Sequence, residues 1–162
     1  MQGKKTYQDK LFNSFRLSDR VPETNFYRRL KSVLHLDFLY QQTKSYYGSS
    51  GQQSIDPVVF FKLCLVGYLE NIISDRKLIE HASMRLDILY FIGYDIDEHL
   101  PWHSTISRTR QLFPEEVFER VFTHILAMCI GKGMVKGNTQ AVDSAPVKAG
   151  PPRLMRVWIV WR

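Results

Sequence analysis

One segment of the sequence, from Pro57 to about Asn71, carries apolar side chains almost all the way round a helix. It begins with Asp56 and Pro57, and an Asp followed by Pro is a strong signal for the start of an α-helix. A helix without a polar face cannot lie on a protein surface, so other helices must cover it on most sides. The sequence therefore predicts a mainly α fold, a helical bundle with this segment at its centre.

A second stretch, from Gly93 to Arg110, predicts the end of one helix, an irregular turn and a new short helix. Gly93 suits a helix C-terminus because it tolerates positive φ, and Pro101 blocks continuation of the chain as a helix. Ser104 is the predicted N-cap of the new helix. A short helix held by a packed scaffold is the element with which helix-turn-helix proteins read the DNA major groove.

The new helix presents small hydroxyl groups and two arginines, which are side chains that suit DNA contact. Arg pairs with guanine edges, and hydroxyls pair with phosphates or bases. Trp102 is expected to wedge the turn against the core instead. On charge alone, an ordinary surface helix with solvated or salt-bridged arginines remains an open alternative. The predicted DNA-binding residues are Ser104, Thr105, Ser107, Arg108 and Arg110.

The charge of the chain is concentrated at its two ends. Of the 162 residues, 44% are hydrophobic and 13% aromatic, which is enough for a core and argues against wholesale disorder. The net charge is +6. Residues 1–35 carry eight Lys/Arg against three Asp/Glu, and residues 148–162 carry four Lys/Arg and no acid. These basic ends permit phosphate binding but do not establish it.

The cysteines and histidines show no metal-ligand spacing. Cys64 and Cys129 lie far apart in apolar helical patterns, so free thiols in a reducing cytoplasm are expected. His99 and His103 are four residues apart, but Pro101 interrupts any helix that would bring them together, and no zinc is assigned. The chain begins without an apolar signal segment and has no run long enough to span a membrane. A cytoplasmic protein that meets neither a membrane nor a small-molecule substrate is expected.

Several further helix starts can be placed from local signals. Pro22 with Glu23 suits the first turn of an early helix. Asp37, then Ser74 or Asp75, and then Asp87 suit the starts of later ones. The sequence at 113–116, Phe-Pro-Glu-Glu, opens a longer helix that Gly131 and Gly133 end. Its apolar residues recur at 117, 118, 121, 122, 125, 126 and 129, which gives a broad apolar face.

After the glycines the pattern changes from helix to strand. Residues 139–142 predict a short strand that ends at Asp143 and a turn. The chain then divides into a basic arm at 1–20, a helical domain at 21–133, the beginning of a second domain at 134–149 and a tail at 150–162. A lone Asp at a strand end is usually a turn residue, so Asp143 needs partners before it suggests catalysis. Downstream of it the chain has no Asp and no Glu.

Four motifs follow one another along the chain in the order found in bacterial insertion-sequence transposases with an InsH-like N-terminal domain. The chain resembles that family over about residues 15–149. In that family a helical DNA-binding domain precedes an RNase H-like catalytic domain, whose Asp-Asp-Glu site holds Mg²⁺. By position, Asp143 matches the first catalytic and metal-binding acid, and the second Asp and the Glu have no counterpart here. No metal is therefore expected to bind this chain. The motifs are Ser74-Asp-Arg-Lys-Leu78, Gly93-Tyr-Asp95, His103-Ser-Thr-Ile-Ser-Arg108 and Gln140-Ala-Val-Asp-Ser-Ala-Pro-Val-Lys-Ala149.

The resemblance stops at Gly150, where a reading-frame shift is the predicted cause. The family usually continues Lys-Ala-Asn-Ala-Ser, whereas this chain continues Gly-Pro-Pro-Arg-Leu-Met. One permitted coding of Gly150–Trp161, read two bases further on, gives Pro-Ala-Ser-Ile-Asp-Ala-Ser-Leu-Asp-Ser-Leu. Residues 150–162 are therefore interpreted as an out-of-frame tail, and no binding function is assigned to its arginines.

The resemblance implies a truncated transposase that binds double-stranded DNA at the terminal inverted repeats of its element. Two-metal strand cleavage needs several carboxylates, so this chain is expected not to cut DNA alone. Two alternatives remain open. One is a helical interaction module that pairs with itself or with a full-length transposase, and the other is an inert relic.

Overall fold

A computed structural model describes residues 5, 14–48 and 54–131, together with the backbone of 139–142 and 145–148. The chain divides into two compact units, residues 1–117 and residues 118–162. The predicted acid Asp143 and the predicted tail at 150–162 lie outside the described residues.

The helices of the first unit are short and follow one another closely. They are α1 (Leu17–Arg20), α2 (Phe26–Val33), α3 (Phe38–Thr43), α4 (Pro57–Leu69), α5 (Asp75–Ser83), α6 (Leu86–Ile92) and α7 (His103–Leu112), with a 3-10 turn at Lys44–Tyr46. The helix α8 (Glu115–Gly131) follows, and then the strands β1 (Thr139–Val142) and β2 (Ala145–Lys148). The mainly α fold class is confirmed.

The apolar helix α4 lies in the core, as its sequence predicts. Phe60, Leu63 and Val66 are completely buried, and Phe61 is nearly so. The Asp56 carboxylate caps the helix by accepting hydrogen bonds from the backbone N–H groups of Val58 at 2.7 Å and Val59 at 3.3 Å. These bonds satisfy two of the donors that a helix start leaves free, so the start of α4 is fixed by local sequence.

The short helix α6 packs against α1, α2, α4 and α5. Its residues Ile88, Leu89, Phe91 and Ile92 are buried. The helix ends as predicted at Gly93, whose φ of 91° is in the left-handed region that glycine tolerates. The backbone N–H groups of Gly93 and Tyr94 both donate to the Leu89 carbonyl, which closes the last turn.

The helix α2 begins later in the chain than its sequence signal suggests, and the short helix α1 forms within the predicted arm. The predicted helix start at Pro22 and Glu23 is wrong, because the N-cap of α2 is Asn25, whose side-chain oxygen accepts from the N–H groups of Tyr27 and Arg28. Pro22 instead belongs to a turn, in which its carbonyl accepts from the Asn25 N–H. Part of the predicted arm at 1–20 forms α1, which buries Leu17 and packs on α6.

A polar network joins α2, α4, α5 and α6 at one side of the bundle. The Tyr27 hydroxyl donates to Glu70 at 2.7 Å, and the Arg85 guanidinium lies 3.8 Å from the same carboxylate. Arg85 also donates twice to Asp87, at 2.9 and 2.8 Å. Asn25 donates to Asp87 at 3.1 Å, so the residue that caps α2 also holds α6. Burial, reinforced by the Glu70 hydrogen bond, raises the pKa of Tyr27, which therefore stays protonated as the donor.

In the second unit, β1 and β2 pair as an antiparallel hairpin. Thr139 is opposite Lys148, and Val142 is opposite Ala145. The structure therefore places a strand at 139–142, where the sequence predicts one. Membership of β1 in an RNase H-like domain stays a prediction.

The Asp87 carboxylate makes a pH-dependent contribution to stability. Its hydrogen bonds from Arg85 hold its pKa below the usual value of 3.8. A depressed folded pKa means that the contribution is complete above the unfolded pKa and is lost as the pH falls through the folded pKa. We expect Asp87→Asn to lower the free energy of unfolding by about 1–3 kcal/mol at pH 7, because charge-assisted hydrogen bonds are lost.

Urea unfolding at several pH values checks this expectation. The difference between Asp87→Asn and the unaltered protein should shrink steadily as the pH falls below the usual Asp pKa of 3.8. Asp19→Asn is the control, since Asp19 is exposed on α1. A difference at strongly acidic pH as large as that at pH 7 would contradict a role for the Asp87 charge.

Candidate nucleic-acid interface

Helix α7 begins two residues earlier than its sequence predicts, at His103 instead of Thr105. Trp102, in extended conformation after Pro101, is the N-cap, and its carbonyl accepts from the N–H groups of Thr105 and Ile106. The prediction that Ser104 caps the helix is therefore wrong. Pro101 fixes the chain direction immediately before Trp102, so the helix starts there without any side-chain cap. Ser104 lies instead in the first turn, where its side chain is exposed.

The prediction that Trp102 covers the core is also wrong. Its side chain is 77% exposed, because the indole points away from the residues that the helix buries. The inward face of α7 is made instead by Ile106 and Thr109, with Phe113 directly after the helix. An exposed tryptophan is unusual on a protein surface, since it leaves a large apolar area in water.

Phe113 anchors the C-terminal end of α7 in a cluster of aromatic rings. Its ring stacks on Phe61 at 5.8 Å between centroids and meets Phe60 edge-on at 5.5 Å. Tyr46 and Tyr47 approach it edge-on from another side, each at 6.0 Å. Offset and edge-on ring pairs add stabilisation beyond the area that they bury. The end of α7 is therefore fixed to the central helix α4.

Asp75, at the start of α5, holds α7 through two polar side chains. Its carboxylate accepts from the Ser107 hydroxyl at 2.7 Å and from the Arg110 guanidinium at 2.8 Å. The Arg110 side chain is 29% exposed and the Asp75 side chain 16%. The Arg110 guanidinium is also close enough to Cys64 of α4 to act on the pKa of its thiol. Two of the predicted DNA-binding residues, Ser107 and Arg110, are thus engaged within the protein.

The environment of Cys64 makes its thiol less acidic than that of an exposed cysteine. Burial raises the pKa of Cys64 to about 12, although the neighbouring Arg110 guanidinium acts in the opposite direction. Cys64 and Cys129 are both free, as predicted. A thiol that stays protonated is a poor nucleophile and a poor metal ligand, so Cys64 serves as a packing residue beside Arg110.

The outward face of α7 carries Ser104, Arg108 and Gln111, which are all exposed. Their spacing of four and then three residues places them along one stripe of the helix. Thr105 lies beside this stripe and is half-buried. Gln111 is not among the residues predicted from the sequence, although its spacing from Arg108 gives the signal. Gln and Arg are the side chains that pair with two atoms of an adenine or a guanine edge.

The two segments that adjoin α7, the start of α5 and the loop before α7, carry exposed charges of opposite sign. Arg76 and Lys77 are exposed in the first turn of α5, directly after the residue that binds α7. The loop from Gly93 to Trp102 instead exposes the acids Asp95, Asp97 and Glu98. This loop is longer than the turn of about three or four residues in a helix-turn-helix motif, so α6 and α7 are joined less tightly than the helices of that motif.

The described residues show neither a cluster of metal ligands nor a helix that could span a membrane. Within 5, 14–48 and 54–131, no three His, Cys, Asp or Glu side chains come together as metal ligands would. Asp143 lies outside these ranges, so its predicted metal role stays a prediction. None of the helices searched in the described part of the chain is long and apolar enough to cross a membrane.

The contact between Asp75 and Arg110 can be tested by a double-mutant cycle. Asp75→Ala and Arg110→Ala should each destabilise the protein, and the double variant should lose less than the sum. We expect a coupling energy of about 1–2 kcal/mol, because the pair is partly buried and hydrogen-bonded. Urea unfolding of the four proteins measures it. Additive losses would show that the two side chains do not depend on each other.

The comparisons with known proteins give one family. The profile of the Transposase domain (DUF772) family matches residues 15–112, which is more than half of the chain and extends from before α1 to the last residue of α7. Neither the curated proteins nor the solved structures contain a match. The aligned region covers the complete bundle that presents α7, and the chain belongs to the DUF772 transposase-domain family.

Proposed function

We propose that this chain binds double-stranded DNA through the outward face of α7, at the ends of a transposable element. The observation that carries the proposal is the division of α7 into two faces. Ile106 and Thr109 are buried and Ser107 and Arg110 are bound by Asp75, while Ser104 and Arg108 are left exposed. A helix fixed on one side with a polar stripe on the other can enter a major groove without rearrangement.

The proposal divides the predicted residues into contacting and positioning groups. We assign base and phosphate contacts to Ser104, Thr105 and Arg108, and add Gln111 because it continues their stripe. Ser107 and Arg110 are assigned the role of holding α7 against α5, since their polar atoms already bind Asp75. An Arg that left this carboxylate to contact DNA would leave Asp75 partly buried without its partner, which is costly.

The charges near α7 favour one side of the helix as the place where the DNA backbone lies. Arg76 and Lys77 place positive charge beside the end of α7 that Asp75 binds. Asp95, Asp97 and Glu98 place negative charge in the loop that leads into the helix. Since phosphates are attracted to the first group and repelled by the second, we place the nearest phosphates on the α5 side. Exposed Trp102 then supplies an apolar surface at the opposite end of the helix.

A second candidate function, self-association, is favoured by one observation on α8. Phe122, Leu126 and Ile130 are 44%, 37% and 48% exposed. Their spacing of four residues places them in one stripe along the helix, which is the pattern by which two helices pack together. A stripe of this kind suits a second copy of the chain, and it would add to DNA binding rather than replace it.

Arg108→Ala tests the DNA-binding proposal. We expect affinity to fall by about 1–3 kcal/mol for a duplex that the unaltered protein selects from a randomised pool, because a base-reading Arg is lost. Fluorescence anisotropy at constant salt measures the change. The matched control is Arg120→Ala, which removes the same charge from an exposed position on α8. Equal effects of the two substitutions would refute the assignment of α7.

Leu126→Glu tests self-association through α8. The unaltered protein should increase in mass with concentration in size-exclusion chromatography with light scattering, and Leu126→Glu should remain a monomer because a buried charge opposes pairing. Thr123→Glu is the control, since Thr123 is exposed on α8 but does not belong to the apolar stripe. A monomeric unaltered protein at every concentration would exclude this candidate.

A further inference from the structure

Two lysines lie against neighbouring aromatic side chains of α6 in a small cationic niche, defined here by Lys31, Lys62, Tyr90 and Phe91. The Lys31 ammonium of α2 donates to the Tyr90 carbonyl at 2.5 Å and lies 4.3 Å from the centre of the Tyr90 ring. The Lys62 ammonium of α4 lies 5.4 Å from the centre of the Phe91 ring. The ring faces attract both cations, but they leave most of the ammonium donors free.

A third cation borders the niche. The Arg28 guanidinium lies 5.6 Å from the Tyr90 ring centre, and it is one helical turn from Lys31 on α2. Arg28 already donates to the carbonyl groups of Ser18 and Val21, at 2.5 and 2.6 Å. It therefore fixes α1 in place and contributes its charge to the niche without needing a new partner.

Within the described ranges, the two lysines have no acidic partner. No carboxylate there lies within 4.0 Å of either ammonium, and Lys62 has no hydrogen-bond acceptor. Asp37 and Asp56 act on Lys62 only at longer range. The Asp56 carboxylate is occupied in capping α4 and in accepting the Tyr40 hydroxyl at 2.8 Å. Two partly buried cations on neighbouring rings, with no acidic partner in these ranges, make the niche attractive to an anion.

The lysines repel each other in the absence of such an anion. Burial lowers the pKa of Lys62, and the charge of Lys31 lowers it further. Burial also lowers the pKa of Lys31. Both shifts disfavour the charged forms, and an anion bound between the two ammonium groups would reverse them.

The niche lies on a different side of α4 from the contacts of α7. Lys62 and Cys64 are two residues apart, and a separation of two residues corresponds to about 200° around a helix. Since Cys64 meets Arg110 of α7, Lys62 points to the other side of α4. The niche is therefore separate from the polar stripe of Ser104 and Arg108.

We propose that Lys31 and Lys62, bordered by Arg28, bind a phosphate group. A phosphate presents several acceptor oxygens and a negative charge, which matches two ammonium groups with free donors better than a single carboxylate does. The phosphate comes either from a DNA backbone or from a free phosphate or nucleotide. The proposal does not depend on DNA contact by α7.

Nuclear magnetic resonance of the full chain with ¹³C-labelled lysine tests the site with sodium pyrophosphate as the probe. The Cε resonances of Lys31 and Lys62 should shift on addition of pyrophosphate, and the midpoint of the Lys62 titration with pH should rise. Lys62→Met should weaken pyrophosphate binding about tenfold, because a charge-assisted hydrogen bond is lost while the apolar stem remains. Lys44→Met, which removes an exposed lysine, should leave binding unchanged.

The source of the phosphate is decided by the salt dependence of DNA binding. If the niche binds DNA, the double variant Lys31→Met/Lys62→Met should reduce the slope of log affinity against log salt by about 1–2, whereas Lys44→Met should not. An unchanged slope together with lost pyrophosphate binding supports a free phosphate ligand. Arg108→Ala should keep the pyrophosphate response, so failure of the α7 proposal can be recognised separately.

The proposal is overturned if pyrophosphate shifts neither resonance in the unaltered protein and the DNA slope of the double variant equals that of Lys44→Met. Circular dichroism confirms that each variant is folded. Lys62→Arg retains the charge and should retain binding of pyrophosphate, which separates loss of the cation from a general change in packing.

Discussion

The apolar surface of α4 has to be covered on nearly every side, and the positions of the neighbouring helices follow from that requirement. Full burial of one large apolar side chain contributes about 1.5–3 kcal/mol, and α4 supplies Phe60, Leu63 and Val66 to the interior. The helices α3, α5 and α6 pack directly on it, and Phe113 brings the end of α7 to Phe60 and Phe61. The candidate DNA-binding helix is thus placed by an apolar contact at one end and turned by polar contacts along its length.

Polar contacts within the bundle determine how each helix is turned more than they hold the helices together. Asp75 reaches both Ser107 and Arg110, so α7 can present only one face to α5. Elsewhere in the bundle, Asn25 and Asp87 join the start of α2 to the start of α6. Hydrogen bonds with charged groups are directional and cost stability when one partner is removed. The same physics that orients α7 also restricts which of its side chains remain available to a ligand.

The sequence predicts those features that depend on neighbouring residues. Asp56 caps α4 and Gly93 ends α6, because each acts on backbone groups a few residues away. The role of Arg110 could not be predicted in this way, since its partner Asp75 lies 35 residues earlier in the chain. The orientation of Trp102 could not be predicted either. An aromatic side chain at a helix start turns inward or outward according to how the rest of the chain packs. Once the buried face of α7 is known, the spacing of its remaining residues is enough to identify its polar stripe.

In the proposed function, the few exposed polar side chains of α7 would contribute more to the choice of DNA sequence than to the affinity for DNA. Single DNA-binding modules bury roughly 600–1,000 Å² of protein surface, and much of their binding energy comes from phosphates. Ser104, Arg108 and Gln111 together form only a narrow stripe, and Ser107 and Arg110 are bound within the protein. If α7 binds DNA as proposed, additional phosphate contacts would have to come from other elements. Arg76 and Lys77 are nearest in sequence to the anchor of α7, and the excess of Lys/Arg in residues 1–35 provides a larger reserve of positive charge. The proposed function therefore implies a division of labour, in which α7 would read bases and the basic residues elsewhere in the chain would set the dependence of affinity on salt.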